Sequence, residues 1–354
     1  MKNKIKKLTE IKNNLVNVNP YVFSTPSVSA KCIRMLVVIV IQIIMLAVTR
    51  SFSALYVILA TTVGSVLAFV LHYIFVRRQL YTVYFSIIQG MLIGMLLPET
   101  YPIATAFFLS FFVVLISKYI FVNCVTTWVN IISVTVILAW FIGSRFFPQF
   151  LITRDLMALK NPSTYLIQNG VFPVYSFDSI ITNFLNNTIF SWLKVTLPEG
   201  YISLLCDSHS VIPAFRFNLI TIFSTVLFCS DDSFSVFIPA VFIGTYLLLV
   251  RLLFPMFAGG AFNSGDVILA MCSSGTLFIT VFIFNWYGTH PVTFWGKLIY
   301  AFISGIFAFF IVGCGTSPIG MVYTVLISNI LNLIIRTIEE NRYEAVCSLA
   351  RARA

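Results

Sequence analysis

Long apolar runs dominate this chain, and short polar stretches separate them. A helix needs about 20 apolar residues to cross the hydrocarbon layer of a bilayer, and the runs are close to that length. Within each run the apolar residues are continuous and do not alternate with polar ones, which favours helices over strands. The pattern predicts ten spanning helices, at 33–49, 52–76, 81–97, 103–121, 125–146, 213–229, 234–254, 266–286, 297–313 and 318–335.

The composition excludes an ordinary soluble domain. The chain is 59% hydrophobic and 10% charged, with a mean hydropathy of +0.97, whereas a soluble domain has about 25% charged residues. Backbone polar groups in lipid must be satisfied within the protein, and for continuous apolar runs that requirement leaves helices. We therefore predict an all-α polytopic membrane protein.

One long polar stretch divides the ten predicted spans into five and five. Because each half has an odd number of spans, the second half enters the membrane from the opposite side, and a duplicated unit would be an inverted repeat. The predicted organisation is a basic N-terminal segment at 1–32, helices 1–5 at 33–146, a loop at 147–212, helices 6–10 at 213–335 and a basic tail at 336–354.

The basic residues predict the orientation. With both termini in the cytoplasm, 15 of the 22 Lys and Arg residues fall on the cytoplasmic side and 7 on the outer side. Cytoplasmic loops of membrane proteins carry such an excess, so loop 147–212 is predicted to lie outside. The net charge of +10 is therefore a topology signal, and we expect no nucleic-acid partner.

Two glycine-containing spans give weak support for the repeat. Gly90 opens the apolar half of span three and Gly275 does the same in span eight, which matches the interrupted spans of inverted-repeat transporters. Glycine also serves close helix packing, so packing is an alternative. The charges near spans that could serve an ion path are Asp231, Asp232, Asp266 and Lys118, although each can reach an interface.

The sequence offers few residues for catalysis or metal binding. The seven cysteines are scattered without a Cys-x-x-Cys pair, so we expect no metal site. There is no Gly-x-Gly-x-x-Gly after a predicted strand, and the isolated chain is therefore not expected to oxidise NADH.

Six stretches spread along nearly the whole chain form a recognisable pattern: Gln89 to Pro98, Ile116 to Tyr119, Leu197 to Tyr201, His290-Pro-Val-Thr293, Gly296 to Tyr300, and Gly315 to Asn329. Together they resemble the RnfD and NqrB family of the Rnf and Nqr electron transport complexes, with RnfD the closer. The family typically has Asp-Pro-Val-Thr where this chain has His290. A histidine can still cap a turn by hydrogen bonding, but it supplies no fixed negative charge.

The resemblance implies a membrane subunit of an ion-translocating redox complex in the bacterial inner membrane. Such complexes move electrons between NADH or ferredoxin and a quinone or NAD, coupled to sodium or proton transport. The implied partners are the other membrane and flavin subunits and a flavin transferase. The implied cofactor is FMN, joined by a phosphoester to a threonine on the outer side. The resemblance leaves open whether the chain also binds a second, non-covalent flavin.

The family's acceptor threonine stands in a motif like Asp-x-x-Ser-Gly-Ala-Thr-Pro-Leu. The best match makes Thr188 the acceptor, although Asn186 and Asn187 replace Gly-Ala and the leading acid is not at its usual distance. Counting from Asp178 makes Thr182 a weaker alternative. Asn186 to Thr188 also fits a helix start, since Asn and Thr cap exposed amides.

The alternative to a flavin-carrying redox subunit is a diverged, flavin-free paralogue that acts as a membrane scaffold or solute permease.

Overall fold

The computed structural model describes residues 27–76, 82–120, 129–148, 174–193, 196–230, 235–258, 262–263, 265–286, 288–315 and 317–353. These residues form helices and turns, and no strand occurs among them. The α-helices are α1 (Val28–Val48), α2 (Phe52–Val76), α3 (Thr82–Leu96), α4 (Ile103–Val114), α5 (Ile131–Gly143), α6 (Asp178–Leu185), α7 (Ser191–Leu193), α8 (Tyr201–Cys206), α9 (Asn218–Ser230), α10 (Phe237–Leu252), α11 (Phe254–Ala258), α12 (Val267–Cys272), α13 (Thr276–Ile279), α14 (Phe294–Ala308) and α15 (Gly320–Arg353). Single irregular turns extend some helices, with π-helical turns at Leu115–Ile120, Asn186–Phe190, Thr280–Phe284 and Phe309–Gly313, and 3-10 turns at Ser144–Phe146 and Pro213–Phe215.

The lengths of the apolar helices confirm an all-α polytopic membrane protein. Among the described residues, four helices are long and apolar enough to cross a bilayer: Val28–Val48, Phe52–Phe75, Phe294–Gly313 and Gly320–Glu344. Shorter apolar helices occupy the predicted spans three to seven: Val83–Leu96, Ile103–Ser117, Ile131–Phe146, Asn218–Cys229 and Phe237–Leu252. Each of these lies where the hydrophobic pattern placed a span.

The last helix is longer than the predicted span. The sequence ended span ten at 335 and assigned 336–354 to a tail, whereas α15 continues to Arg353. The residues that follow the apolar part, including Glu339, Glu340 and Arg342, have good helix propensity, and neither Gly nor Pro interrupts them. The helix therefore continues after its apolar stretch ends.

Small residues bring α2 close to α3 and α4. A Cβ on Gly64 would collide with the Ser110 hydroxyl and the backbone of α4, and a Cβ on Gly90 would collide with the backbone of α2. The Ser110 hydroxyl donates a hydrogen bond to Thr61 O across the same contact, at 3.1 Å. Close backbone approach at small residues is a general way to associate helices in membranes, since no hydrophobic effect drives them together there.

The second half of the chain repeats this arrangement between its own second and fourth spans. α10 packs on α14, where Gly305 lies directly against Thr245. The corresponding pair in the first half is α2 with α4, where Gly64 lies against Ser110. Equivalent spans of the two halves thus meet through a glycine and a hydroxyl-bearing residue.

Spans three and eight differ in how they use glycine. Gly90 lies inside the continuous helix α3 and serves packing, so its proposed role as an interruption is wrong. Span eight is interrupted between α12 and α13, where Ser274 and Gly275 have positive φ angles of 58° and 66°. The Phe215 ring occupies the space that a Cβ on Gly275 would need. The interruption therefore occurs in one of the two spans.

Backbone and side-chain hydrogen bonds connect several turns at one end of the helix bundle. The Glu99 N–H donates to Val211 O at 3.0 Å, and the Thr100 hydroxyl donates to Phe146 O at 2.8 Å. We call this end, which contains residues 49–51, 97–102, 144–148 and 199–217, the loop end.

Candidate functional site at the loop helix

One continuous helical segment contains both candidate threonines. α6, the π-helical turn Asn186–Phe190 and α7 follow one another without a break, and we call residues 178–193 the loop helix. Its junction residues Asn186 and Ser191 have ordinary helical φ and ψ angles (−63° and −38°, −57° and −40°). Thr188 therefore lies inside a helix, and the interpretation of Asn186 to Thr188 as a helix start is wrong.

Asp178 fixes the first turn of the loop helix to the chain that follows it. Its side chain is fully buried. Oδ1 accepts hydrogen bonds from the Thr182 hydroxyl and the Gly200 N–H, both at 3.0 Å. Oδ2 accepts from the Ser203 N–H at 2.7 Å and from the Ser203 hydroxyl at 2.6 Å. A buried carboxylate is costly unless it is hydrogen-bonded, and these bonds satisfy both of its oxygens.

The same contacts set the charge state of Asp178. Burial by itself raises the pKa of the carboxyl group, but the hydrogen bonds from Gly200, Ser203 and Thr182 favour the ionised form and outweigh it. The pKa of Asp178 therefore lies below its ordinary value. The residue is an ionised anchor at neutral pH.

Asn186 makes a second attachment two turns further along. Its side-chain amide donates to Leu197 O at 3.0 Å, and its side-chain oxygen accepts from the Leu197 N–H at 2.8 Å. Asp178, Thr182 and Asn186 are spaced by four residues and so share one face of the helix. We call this face the inner stripe.

Thr188 lies on the other side of the helix. It is exposed, and its hydroxyl donates to Phe184 O one turn earlier, at 2.6 Å. Phe184 is 64% exposed and Trp192 is 89% exposed, and these residues stand one turn to either side of Thr188. Ile180 continues the row by one more turn and is also exposed.

The structure thus separates the two candidate threonines. Thr182 is 1% exposed and its hydroxyl donates to the buried Asp178 carboxylate. Thr188 is exposed, and its hydroxyl oxygen still has lone pairs that can accept a hydrogen bond or act as a nucleophile.

A buried ion pair beside the loop helix was not found by sequence reasoning. The Arg216 guanidinium donates to both oxygens of Asp207, at 3.0 and 2.7 Å, and also to the Ser51 hydroxyl. The side chains are only 9% and 7% exposed. Arg216 lies within the predicted span 213–229, and an ionisable residue inside a span is by default a functional candidate, which was the signal available.

This ion pair lines a polar cleft at the loop end. The cleft has a volume of about 440 Å³ and is lined by Thr49, Ser51, Glu99, Tyr175, Asp207, His209, Ser210 and Arg216. The Tyr175 hydroxyl is 3.4 Å from His209 Nε2, and the Tyr175 N–H donates to the Ser203 hydroxyl at 3.0 Å. Burial, together with the negative charge of Asp207, raises the pKa of Tyr175. Ser203 therefore connects Tyr175, which lines the cleft, with Asp178, the anchor of the loop helix.

Asp266 has a structural role at the start of the interrupted span. Its side chain caps α12 by accepting from the Leu269 N–H at 3.0 Å, and it accepts a hydrogen bond from the Tyr201 hydroxyl. Burial and this bond raise the pKa of Tyr201. Of the other charges near the spans, Asp231 and Asp232 and the side chain of Lys118 lie outside the described residues.

The side chain of His290 contacts the backbone of the turn to which His290 belongs. Its Nδ1 lies 3.0 Å from Pro291 O, and burial lowers the pKa of the ring. The cap of α14 is Thr293, whose hydroxyl accepts from the Gly296 N–H at 3.0 Å. Glu339 of α15 accepts from the Thr293 N–H at 3.1 Å, so a carboxylate reaches this turn from another helix.

A model of the NQR2, RnfD, RnfE family matches residues 15–344. The chain belongs to this family. The NQR2, RnfD, RnfE family comprises membrane proteins of ion-translocating redox complexes, so the resemblance drawn from His290 to Thr293 and the other stretches is confirmed at the level of the family. A comparison with curated proteins gave no match.

Proposed function

We propose that this chain is the RnfD component of an Rnf complex and that it carries FMN covalently on Thr188. The observation that supports this assignment is the separation of the two threonines: Thr188 is exposed, while Thr182 is buried and hydrogen-bonded to Asp178. A transferase can reach the first hydroxyl and not the second. The proposed function is electron relay to neighbouring subunits, coupled to sodium or proton transport.

The surroundings of Thr188 fit a phosphoester-linked flavin. Asp178 is the one acidic residue in the sequence 178–193, and its carboxylate is buried on the inner stripe. No carboxylate of the loop helix therefore repels a phosphodiester at Thr188. When bound, FMN supplies a group that accepts and donates electrons, while the protein holds it and tunes its potential. Asp178 and Asn186 would hold the helix that carries it.

The proposal includes an orientation. Both termini lie in the cytoplasm of a bacterial cell and 147–212 lies outside its inner membrane, as the distribution of Lys and Arg predicts. Reporter fusions after Asn161 and at the C-terminus should then report opposite sides of the membrane. Fusions that report the same side would remove this orientation and with it the accessibility of Thr188.

The partners follow from the proposed role. A protein that relays electrons needs a donor and an acceptor, and we propose that the other membrane and flavin subunits of the complex supply them. The purified chain alone should not oxidise NADH, and in a mild membrane extract the chain should co-purify with those subunits. Steady NADH oxidation by the isolated chain would contradict this role.

The decisive experiment compares two threonine variants made beside a flavin transferase. Thr188→Ala should abolish the ultraviolet fluorescence of the denatured band and reduce the intact mass by one FMN. Thr182→Ala should keep both, because its hydroxyl is bound to Asp178 and is not the acceptor. Thr188→Ser, which keeps a hydroxyl, should retain part of the fluorescence. The reverse pattern would move the acceptor to Thr182.

A flavin-free membrane scaffold or permease is the second candidate. Two observations favour it: Asn186 is engaged with Leu197 where the family motif has a small residue, and the Thr188 hydroxyl already donates to Phe184 O. If the wild-type chain carries no covalent flavin beside a competent transferase, this second function replaces the redox role.

A further inference from the structure

Most of the exposed side chains of the loop helix form two stripes. One is apolar and has large side chains on its turns: Ile180, Phe184 and Trp192, which are 71%, 64% and 89% exposed. The other has exposed, uncharged polar side chains at a spacing of four residues: Asn183, Asn187 and Ser191. We call them the apolar stripe and the polar stripe. Residues four apart share a helix face, so each stripe follows one side of the helix.

The apolar stripe points away from the protein body. Asp178 and Asn186 of the inner stripe make the hydrogen bonds to residues 197–203, and Thr182 donates to Asp178. A surface helix of a water-soluble protein has the opposite arrangement, with its apolar face toward the core. An apolar row of this size on the outside indicates a surface that is covered by something other than water.

The charge of the helix favours lipid over water as that covering. Asp178 is the one charged residue in the sequence 178–193, and it is buried. Trp192 is at the far end of the stripe, and Trp is enriched where membranes meet water because its ring is apolar and its N–H is polar. A helix with an apolar side and an adjacent polar side is suited to the same boundary.

The attachment of the loop helix places it beside the ends of the spans. Asp178 is hydrogen-bonded to Ser203, and two residues earlier the Tyr201 hydroxyl is hydrogen-bonded to Asp266, the cap of the interrupted span. Arg216, after the same segment, is hydrogen-bonded to Ser51 between α1 and α2. The first turn of the loop helix is therefore close to the level at which the spans leave the bilayer.

We propose that the loop helix lies in the interfacial layer of the bilayer, with its apolar stripe against phospholipid. The polar stripe then faces the headgroups and water. The Thr188 hydroxyl within the apolar row is satisfied by Phe184 O, as hydroxyls in apolar surroundings need to be. The inference rests on the exposed side chains of Ile180, Phe184 and Trp192 and not on FMN at Thr188.

Lipid quenching of tryptophan tests this contact in the full chain. The chain has five Trp residues, and the comparison is between wild type and Trp192→Phe in nanodiscs of brominated and ordinary phosphatidylcholine. If Trp192 contacts lipid, the variant loses a quenched component and the quenched fraction falls. If Trp192 is in water or against a partner, the variant loses an unquenched component and the fraction rises, which overturns the proposal.

A matched control moves the reporter to the polar stripe of the same helix. Asn187→Trp in the Trp192→Phe background should be accessible to aqueous iodide and protected from brominated lipid. Trp295→Phe, at an exposed position on the first turn of α14, tests whether the assay detects loss of a tryptophan at the end of a span. Equal lipid quenching at 187 and 192 would overturn the orientation of the helix. Quenching at 192 that requires anionic lipid would overturn the purely apolar contact.

Discussion

Ser203 donates both its backbone N–H and its hydroxyl to one carboxylate oxygen of Asp178, at 2.7 and 2.6 Å. The two residues are 25 positions apart, and their contact closes the segment that carries both candidate threonines. The Thr182 hydroxyl donates to the same carboxylate, so Thr182 lies on the inner side of the helix, and Thr188 is exposed on the outer side.

Removal of the anchor should release the loop helix. Asp178→Ala leaves the Ser203 and Gly200 donors without their acceptor, and hydrogen bonds to a charged group contribute about 1.5–3 kcal/mol each. We expect faster amide hydrogen exchange across 178–193 and 200–203, with the spans unchanged. Asn183→Ala, on the exposed polar stripe of the same helix, should leave exchange as in wild type. Equal protection in the two variants would show that Asp178 is not the anchor.

Lowering the pH should release the loop helix in the same way as Asp178→Ala. The pKa of Asp178 is lowered in the folded protein, so its stabilising effect is complete above the ordinary carboxyl pKa of about 3.9 and is lost as the pH falls through the lower folded value. Protection of 178–193 should therefore be constant from neutral pH down to about 4 and fall below it. Asp178→Asn should lack this step. A wild-type step near pH 6 would mean that another group controls the attachment.

The buried ion pair should be more sensitive to loss of one partner than to loss of both. Asp207→Asn leaves the Arg216 cation buried without its counter-charge, which costs about 3–5 kcal/mol. Thermal unfolding in nanodiscs should show a large decrease for this variant, and Arg216→Met combined with Asp207→Leu should unfold at a higher temperature than Asp207→Asn. Arg342→Lys, at an exposed position on α15, is the control and should change little. A decrease for this double variant equal to the sum of the decreases for Arg216→Met alone and Asp207→Leu alone would indicate that the two residues are not coupled.

Two glycines on the paired helices α10 and α14 give a packing test with an internal control. Gly305→Ala places a methyl group against the Thr245 side chain, and overpacking of this kind costs about 1–3 kcal/mol. Nothing lies within 4 Å of the corresponding position on Gly244, so Gly244→Ala should be neutral or stabilising by up to about 1 kcal/mol. Thermal unfolding of the two variants should shift in opposite directions or differ clearly. Equal shifts would show that α10 and α14 are not in close contact at Gly305.

The hydrophobic pattern was sufficient to predict the order and approximate bounds of the apolar helices, because burial in lipid depends on the local run of apolar side chains. The division of the spans into two groups by the polar segment 147–212 stays a prediction, since residues 149–173 lie outside the described residues. The family was predicted from His290 to Thr293 and the other short stretches, since spacing along the chain is itself sequence information.

Other features depended on contacts that a local pattern does not contain. The interruption of span eight depends on the Phe215 ring packed against Gly275, 60 residues away in the chain, and Gly90 lies instead against the backbone of α2. The pairing of Arg216 with Asp207 is likewise set by the fold. Local charge and hydropathy describe one residue at a time, whereas an ion pair or a ring contact requires two.

The sequence by itself determined a polytopic helical membrane protein of the NQR2, RnfD, RnfE family and two candidate threonines in one loop. Only the tertiary structure decided which threonine is accessible. Thr182 and Thr188 are six residues apart and have the same chemistry, but the hydrogen bonds of Asp178 and Asn186 to distant backbone fix the rotation of the helix. That rotation turns Thr182 inward and Thr188 outward, because a helix has a period of about 3.6 residues.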